Sequence, residues 1–261
     1  MSFPSRIICL TEESVETLFL LGQDHLIQGV SKFVERPLAA KKLPQVSQFI
    51  RSDIEKIIET KPDLVLGFSD IQKEIARELI GRGLNVFVTN QRSLIEILDY
   101  INMLGRLVGE AEKAQKLVQQ FEAKLQEIRE KSAKLPRKPK VYFEEWDHPR
   151  CSGIRWVSEL IEACGGENIF AHKVGAMARD REASDEEIIA LNPDIILACW
   201  CGKKVKLDSF AKREGYEAVN AVKNNFIWEL PPEVFLQPGP ALFIDGLDQM
   251  SALIHKVALE S

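Results

Sequence analysis

The sequence predicts an α/β protein of two similar lobes, each a mostly parallel sheet flanked by helices, joined by one long rigid helix. Three observations carry this reading. Residues 110–134 form the longest uninterrupted helical pattern, with Ala114, Leu117, Val118, Phe121, Leu125 and Ile128 recurring at three- and four-residue steps among Glu, Lys, Gln and Arg. Short apolar runs alternate with helical patterns on both sides of that stretch, the order that gives a parallel sheet covered on both faces. The two flanks also echo one another: IIETKPDLVLG, beginning at Ile57, is matched by IIALNPDIILA, beginning at Ile188, 131 positions later.

In chain order, RIICL at residues 6–10 reads as a strand, and Thr11-Glu12-Glu13-Ser14 opens a helix that stops at Gly22. A second apolar run, LIQGVS at 26–31, leads through a loop rich in Pro and Lys to QVSQF. Residues 54–60 then read as helix, 63–67 as a buried strand, 73–81 as helix and 85–89 as strand. One more helix, 93–108, is expected to break near Gly105 and Gly109, and Gly109 and Pro136 bound the long rod. At about 1.5 Å per residue the rod would span roughly 35–40 Å. Beyond Pro139 the order restarts with KVYF at 140–143, a loop and the helix WVSELIEACGG; the echoed strand, NFIW at 225–228 and a helix over 240–259 complete it. The domains expected are a lobe at 1–109, the connecting helix at 110–135 and a second lobe at 136–261.

Composition narrows the function class. With 34 Lys and Arg against 39 Asp and Glu the net charge is −5, which speaks against a nucleic-acid partner. Five cysteines are an odd number and argue against a stapled secreted scaffold, fitting free thiols in a reducing compartment. No run of eighteen apolar residues occurs, so no membrane span is expected. The first residues, MSFPSRIICL, lack a charged segment followed by an apolar one. The expectation is a cytoplasmic protein if Met1 is the native start, and a periplasmic or cell-surface one if a signal was removed.

Ligands of open parallel sheets bind beyond the carboxyl ends of the strands, where loops and helix N-termini converge. That rule nominates Thr11, Glu12 and Glu13, then Phe68, Ser69 and Asp70, then Asn90, Gln91 and Arg92 in the first lobe. In the second it nominates Glu144, Glu145, Trp146 and Asp147, then Trp200, Cys201 and Gly202, then residues 229–232. Trp146 and Trp200 suit a broad flat ligand; equally, one of them can plug its own lobe. Arg150, Arg155, Arg179, Arg181, Lys203 and Lys204 gather in the second lobe's loops, where they would meet an anionic ligand group or pair with Glu144, Glu145, Asp147 and Asp180. From these the expected ligand-binding set is Glu12, Phe68, Arg92, Glu145, Trp146, Arg179, Arg181, Trp200 and Lys203.

Cys199 and Cys201, and His148 with Cys151, offer soft donors, but their spacing matches no zinc pattern. No protein-bound metal, no intrinsic cofactor and no catalytic residue is expected. A nucleophile elbow, GxGxxG and Walker A patterns are all missing from the sequence.

Several stretches together resemble the substrate-binding proteins of ABC importers for cobalamin, haem and ferric siderophores. They are RIICLTEESVETLFLLGQDHLIQGVS, LPQV, DIEKIIETKPDLVLG, LGRLVGEAEKA and ELIEACGGENIF, in that order over nearly the whole chain. EEWDHPRCSGIRWVSELIEACGG and the CWCGKK loop are similar to a subgroup of cobalamin-binding proteins. The resemblance implies a ligand cleft between two lobes, a metal-complex ligand, little hinge closure, no catalysis and a monomer. It also implies docking to an ABC transporter permease through one surface Glu per lobe; Glu74 or Glu78 would serve the first lobe. The second lobe departs from that pattern, because the loop after Cys201 reads GKKVK and is basic. The alternative expectation is a cytosolic carrier, sensor or enzyme for a corrinoid or iron complex on the same fold, not docked to a transporter.

Overall fold

Short runs rich in β-branched residues bury almost completely when they pair side by side, and this happens twice along the chain. The computed structural model describes residues 3–260. In the first sheet lie β1 (Ile7–Cys9), β2 (Ile27–Ser31), β3 (Gln45–Ser47), β4 (Leu64–Phe68) and β5 (Val86–Thr89), all parallel, in the order β3-β2-β1-β4-β5. The helices threaded between and after them are α1 (Glu12–Leu20), α2 (Ile54–Glu59), α3 (Lys73–Gly81) and α4 (Leu94–Leu107). Ile8, Leu10, Val46, Ile57, Val65, Ile75 and Leu79 form one closed core there.

The rod is α5 (Ala111–Ser132), a single helix of 22 residues. Helix α4 is not broken at Gly105; it runs through to Leu107, and the chain turns at Gly109, whose φ of 82° an L side chain rarely adopts. Gly105 instead answers to packing, because a Cβ there would lie 2.2 Å from the Ala114 Cβ.

The second sheet is built from β6 (Lys140–Asp147), β7 (Arg150–Ser152), β8 (Glu167–Asn168), β9 (Ile195–Ala198) and β10 (Ile227–Glu229), ordered β10-β9-β6-β7 with β8 also on β6. Its helices are α6 (Arg155–Ala163), α7 (Asp185–Leu191), α8 (Asn220–Lys223), α9 (Pro232–Phe235) and α10 (Leu247–Leu259), the last entered through a π-helical turn at Leu242–Gly246. Strand β6 does not end at Phe143. It continues to Asp147 because β7 folds back on it as an antiparallel hairpin, pairing Trp146 with Cys151 and Asp147 with Arg150. Glu144, Glu145, Trp146 and Asp147 are therefore strand residues rather than loop residues.

The echo in the sequence is an echo in the backbone. Lys61 and Asn192, each preceding a Pro-Asp pair, hold φ of 50° and 47°. In one copy Asp63 accepts hydrogen bonds from the Ser5 and Arg6 amides at 2.8 and 3.0 Å, and in the other Asp194 accepts from the Lys140 amide at 3.0 Å. Each aspartate thus pins the start of the first strand of its own sheet beside the strand it introduces. Burial works the other way, but the amides of Arg6 and Ser5 hold the Asp63 carboxyl below its usual range.

Two compact units result. One comprises the residues up to Gln91, Ile95–Gln120 and Gln237–Ala241; the other comprises Arg92–Leu94, Phe121–Leu236 and the residues from Leu242 onward. The division falls inside α5, so the rod belongs half to each. Among the described residues no helix is long and apolar enough to cross a membrane.

Candidate functional site

In the first unit, α1 starts two residues after β1 and sets Glu12 and Glu13 in its first turn, at the carboxyl end of the sheet. Both are buried, 6% and 2% exposed. Burial raises the Glu12 carboxyl against hydrogen bonds from its own amide, Ser31 and Gln237. Burial pushes Glu13 up to about 8, although the Thr11 hydroxyl donates to it at 2.5 Å. Among the described residues Glu12 Oε1 and Glu13 Oε2 have no hydrogen-bond partner. One turn on, Glu16 pairs with Arg36 at 3.0 Å and accepts the Ala241 amide at 3.0 Å.

Phe68 is buried, 5% exposed, and its amide donates to Gln72 Oε1 at 2.9 Å. Arg92 is half-buried, in a segment that packs with the second unit. What the sheet does present are two side chains that sequence reasoning missed: Phe33, 48% exposed after β2, and Ile50, 63% exposed after β3. The Lys32 ammonium lies 4.9 Å from the centre of the Phe33 ring. The signal was available, since the strand-end rule applied to LIQGVS and QVSQF would have nominated both. Beside β5, Ser69, Asp70, Lys73, Arg77, Thr89 and Asn90 help line a groove of 540 Å³. Glu74 is exposed and pairs with Arg77 at 3.0 Å, and Glu78 is exposed on the same helix.

In the second unit most charges are consumed internally. Glu144 is fully buried and fully satisfied: Arg213 grips it with two hydrogen bonds of 2.6 and 2.8 Å, the Trp200 indole N–H donates at 3.0 Å and the Tyr142 hydroxyl at 3.2 Å. Burial opposes the charge on Arg213, yet Glu144 holds that guanidinium above its usual range. Trp200, 2% exposed, packs with Phe210 and Tyr216 in the core. This corrects its expected place in a ligand wall: a ring two residues past a central strand is drawn inward when a buried carboxylate accepts its N–H.

Arg181 is likewise buried, its guanidinium bound to Glu145 through bonds of 2.8 and 3.1 Å and to the Ser152 carbonyl. The expected anion-binding role of Arg181 and the ligand role of Glu145 give way to this pair, one of the alternatives the acidic neighbours offered. Lys203 pairs with Asp147 at 2.5 Å and spans two indoles, 4.2 Å from the centre of Trp146 and 4.9 Å from Trp200. Trp146 remains half-exposed, its indole N–H donating to the His148 carbonyl at 3.0 Å. Arg179 is 76% exposed, with only a 3.8 Å contact to Asp180. Its guanidinium stands in solvent.

Soft donors do not gather. Cys151 and Cys199 are buried, and burial pushes the Cys151 thiol up to about 12. Among the described residues no group of three or more His, Cys, Asp or Glu is placed to hold a metal ion.

The comparisons agree with this architecture. A family model described as periplasmic binding protein matches residues 7–234. The chain is 27% identical, over 97% of its length and 80% of the relative's, to an uncharacterised ABC transporter substrate-binding lipoprotein of Bacillus subtilis. It is 28% identical, over 90% of its length and 85% of the relative's, to a vitamin B12-binding protein of Vibrio vulnificus. Among solved structures, a possible iron-binding periplasmic solute-binding protein of Staphylococcus epidermidis superposes with a TM-score of 0.83 at 27% identity, covering 97% of this chain and 99% of that one.

Proposed function

Because the chain belongs to the periplasmic binding protein family, we propose that it binds a corrinoid, haem or ferric-siderophore type ligand without altering it and delivers that ligand to an ABC transporter. The observation that carries this reading is the contrast at the strand ends. In the second unit the ionisable groups Glu144, Glu145, Arg181 and Arg213 are locked into internal pairs, while the rings of Phe33 and Trp146 stay accessible. Accessible aromatic rings give a broad ligand contact area at low entropic cost, whereas an acid–base mechanism needs titratable groups within reach. The named ligands and transport role of the relatives support the same reading. Delivery would take place outside the cytoplasm, with Glu74 or Glu78 on α3 meeting the transporter. Arg179 and Lys203 would meet peripheral carboxylate or phosphate on the ligand.

Titration of the purified protein with cyanocobalamin, haemin and a ferric siderophore, followed by tryptophan fluorescence, tests this. At least one should quench the emission saturably, and maltose and free amino acids should not. Trp146→Ala should weaken that binding by about 1–3 kcal/mol. Failure of all three complexes to quench and to co-elute with the protein would overturn the proposal.

A further inference from the structure

Helix α1 buries three glutamates near its start, Glu12, Glu13 and Glu16. Among the described residues only Glu16 of these has a basic partner, Arg36 at 3.0 Å. The other titratable groups around Glu13 are themselves acids: Glu12 on the same helix, the Cys9 thiol on β1 and the Tyr100 hydroxyl on α4. No cation therefore offsets a charge on Glu12 or Glu13, and one oxygen of each is without a hydrogen bond among the described residues. A carboxylate buried in such surroundings is costly, whereas a neutral carboxylic acid is tolerated. The donors there are too few to hold a metal ion, so a proton is the species that neutralises the pair.

What lies over this row is the segment Gln237–Ala241, QPGPA, which carries no ionisable side chain of its own. Its backbone offers little to hold it down. Pro238 and Pro240 have no amide hydrogen, and Gly239 donates its own within the segment, to the Gln237 carbonyl at 2.9 Å. The attachments run to the glutamates instead. The Gln237 side chain hydrogen-bonds to Glu12, Gly239 packs against Glu13 with no room for a Cβ, and the Ala241 amide donates to Glu16 Oε2 at 3.0 Å. Beyond the row, the Gln91 amide reaches the Pro238 carbonyl at 3.4 Å. A segment fastened in this way depends on what the glutamates carry, because an ionised pair gains by letting water in.

We propose that Gln237–Ala241 is a proton-held strap: it lies closed over α1 while the Glu12–Glu13 pair carries a proton, and it lifts, with both sheets intact, when that proton leaves to solvent. The opening is local because the strap is joined to the first unit by side-chain contacts and one amide, whereas each sheet is joined by ladders. The device does not depend on which ligand the protein binds, and ligand-free protein suffices to test it.

Hydrogen exchange of the full chain, read amide by amide from pH 7 to pH 9 and divided by the intrinsic rate at each pH, makes the test. The Gly239 and Ala241 amides should lose about tenfold in protection over that interval, as a group with a folded value near 8 requires. The Val65 amide, bonded to the Asn85 carbonyl at 2.9 Å, and the Ile196 amide, bonded to the Phe226 carbonyl at 3.0 Å, report on the two sheets and should stay within twofold. Glu13→Gln, which needs no proton to be neutral, should keep the strap as protected at pH 9 as at pH 7. Gly239→Ala, tested independently, should leave the strap unprotected already at pH 7 while both sheets stay protected. Strap protection that does not change with pH, that falls together with both sheets, or that still falls in Glu13→Gln would overturn the proposal. So would a Gly239→Ala strap as protected as the parent's, or recovery of protection at pH 9 on adding millimolar calcium, which would make a cation rather than a proton the neutralising species.

Discussion

At Glu13 a buried carboxyl makes stability depend on pH. Its folded value, about 8, lies far above the ordinary carboxylate range because burial removes water from it, which outweighs the hydrogen bonds from the Thr11 hydroxyl and its own amide. A carboxyl raised in this way binds its proton more tightly folded than unfolded. The stability that Glu13 contributes is therefore fully present below about pH 4.5, the unfolded value, and is lost as the pH rises through 8. The expected loss is on the order of a few kcal/mol between those limits. Urea midpoints measured from pH 5 to 9 should show it, and Glu13→Gln should flatten the curve; a parent whose midpoint rises over that interval would refute the assignment. The residue scale is also where the sequence was least legible. TEES after RIICL located Glu12 and Glu13 at a strand end, but no pattern in the chain says whether a strand-end carboxyl meets solvent or interior. Trp146 and Trp200 illustrate the same limit. Both come just after an apolar strand pattern, KVYF or DIILA, yet one remains half-exposed and the other turns into the core toward Glu144, whose partner Arg213 lies 69 positions away.

Elements were more legible, because periodicity and turn chemistry act locally. The strands β1, β4, β5 and β9 and the helices α3 and α5 lie within one or two residues of the pattern that predicts them. The hairpin β6–β7 escaped, since β7 is only three residues long, RCS, and its pairing with the far end of β6 shows only in the ladder. Gly105 shows a different failure: glycine inside an apolar helical pattern reads as a break, whereas here it allows α4 and the first turn of α5 to touch. With the Ala114 Cβ 2.2 Å from where a new Cβ would stand, and the Glu110 carbonyl at 3.1 Å, Gly105→Ala has nowhere to go without moving backbone. It should destabilise by about 1–3 kcal/mol despite the better helix propensity of alanine. Gly83→Ala is the useful contrast. That glycine has open space around it and φ of 83°, so its cost should be conformational only, about 1 kcal/mol. Equal urea midpoints for Gly105→Ala and the parent would show that the elbow has slack.

Across the whole molecule, the sequence divides at the rod but the packing does not divide there alone. The first unit is closed by five residues from far down the chain, Gln237–Ala241. The Ala241 amide donates to Glu16 Oε2 at 3.0 Å, and Gly239 packs so closely on α1 that a Cβ there would lie 2.5 Å from the Glu13 Cβ. Gly239 is small because Glu13 is large, a complementarity between positions 226 apart that neither lobe's local pattern contains. A fragment of residues 1–134 would keep every strand of the first sheet and lose this seal. Water would then reach Glu13 and Glu16, removing the desolvation that raises Glu13. The fragment should unfold at lower urea than the full chain at pH 5, and its midpoint should change much less between pH 5 and pH 9. If the fragment instead keeps the full chain's steep pH dependence, the burial of Glu13 comes from α1 and its own sheet, and the distant segment does not govern it.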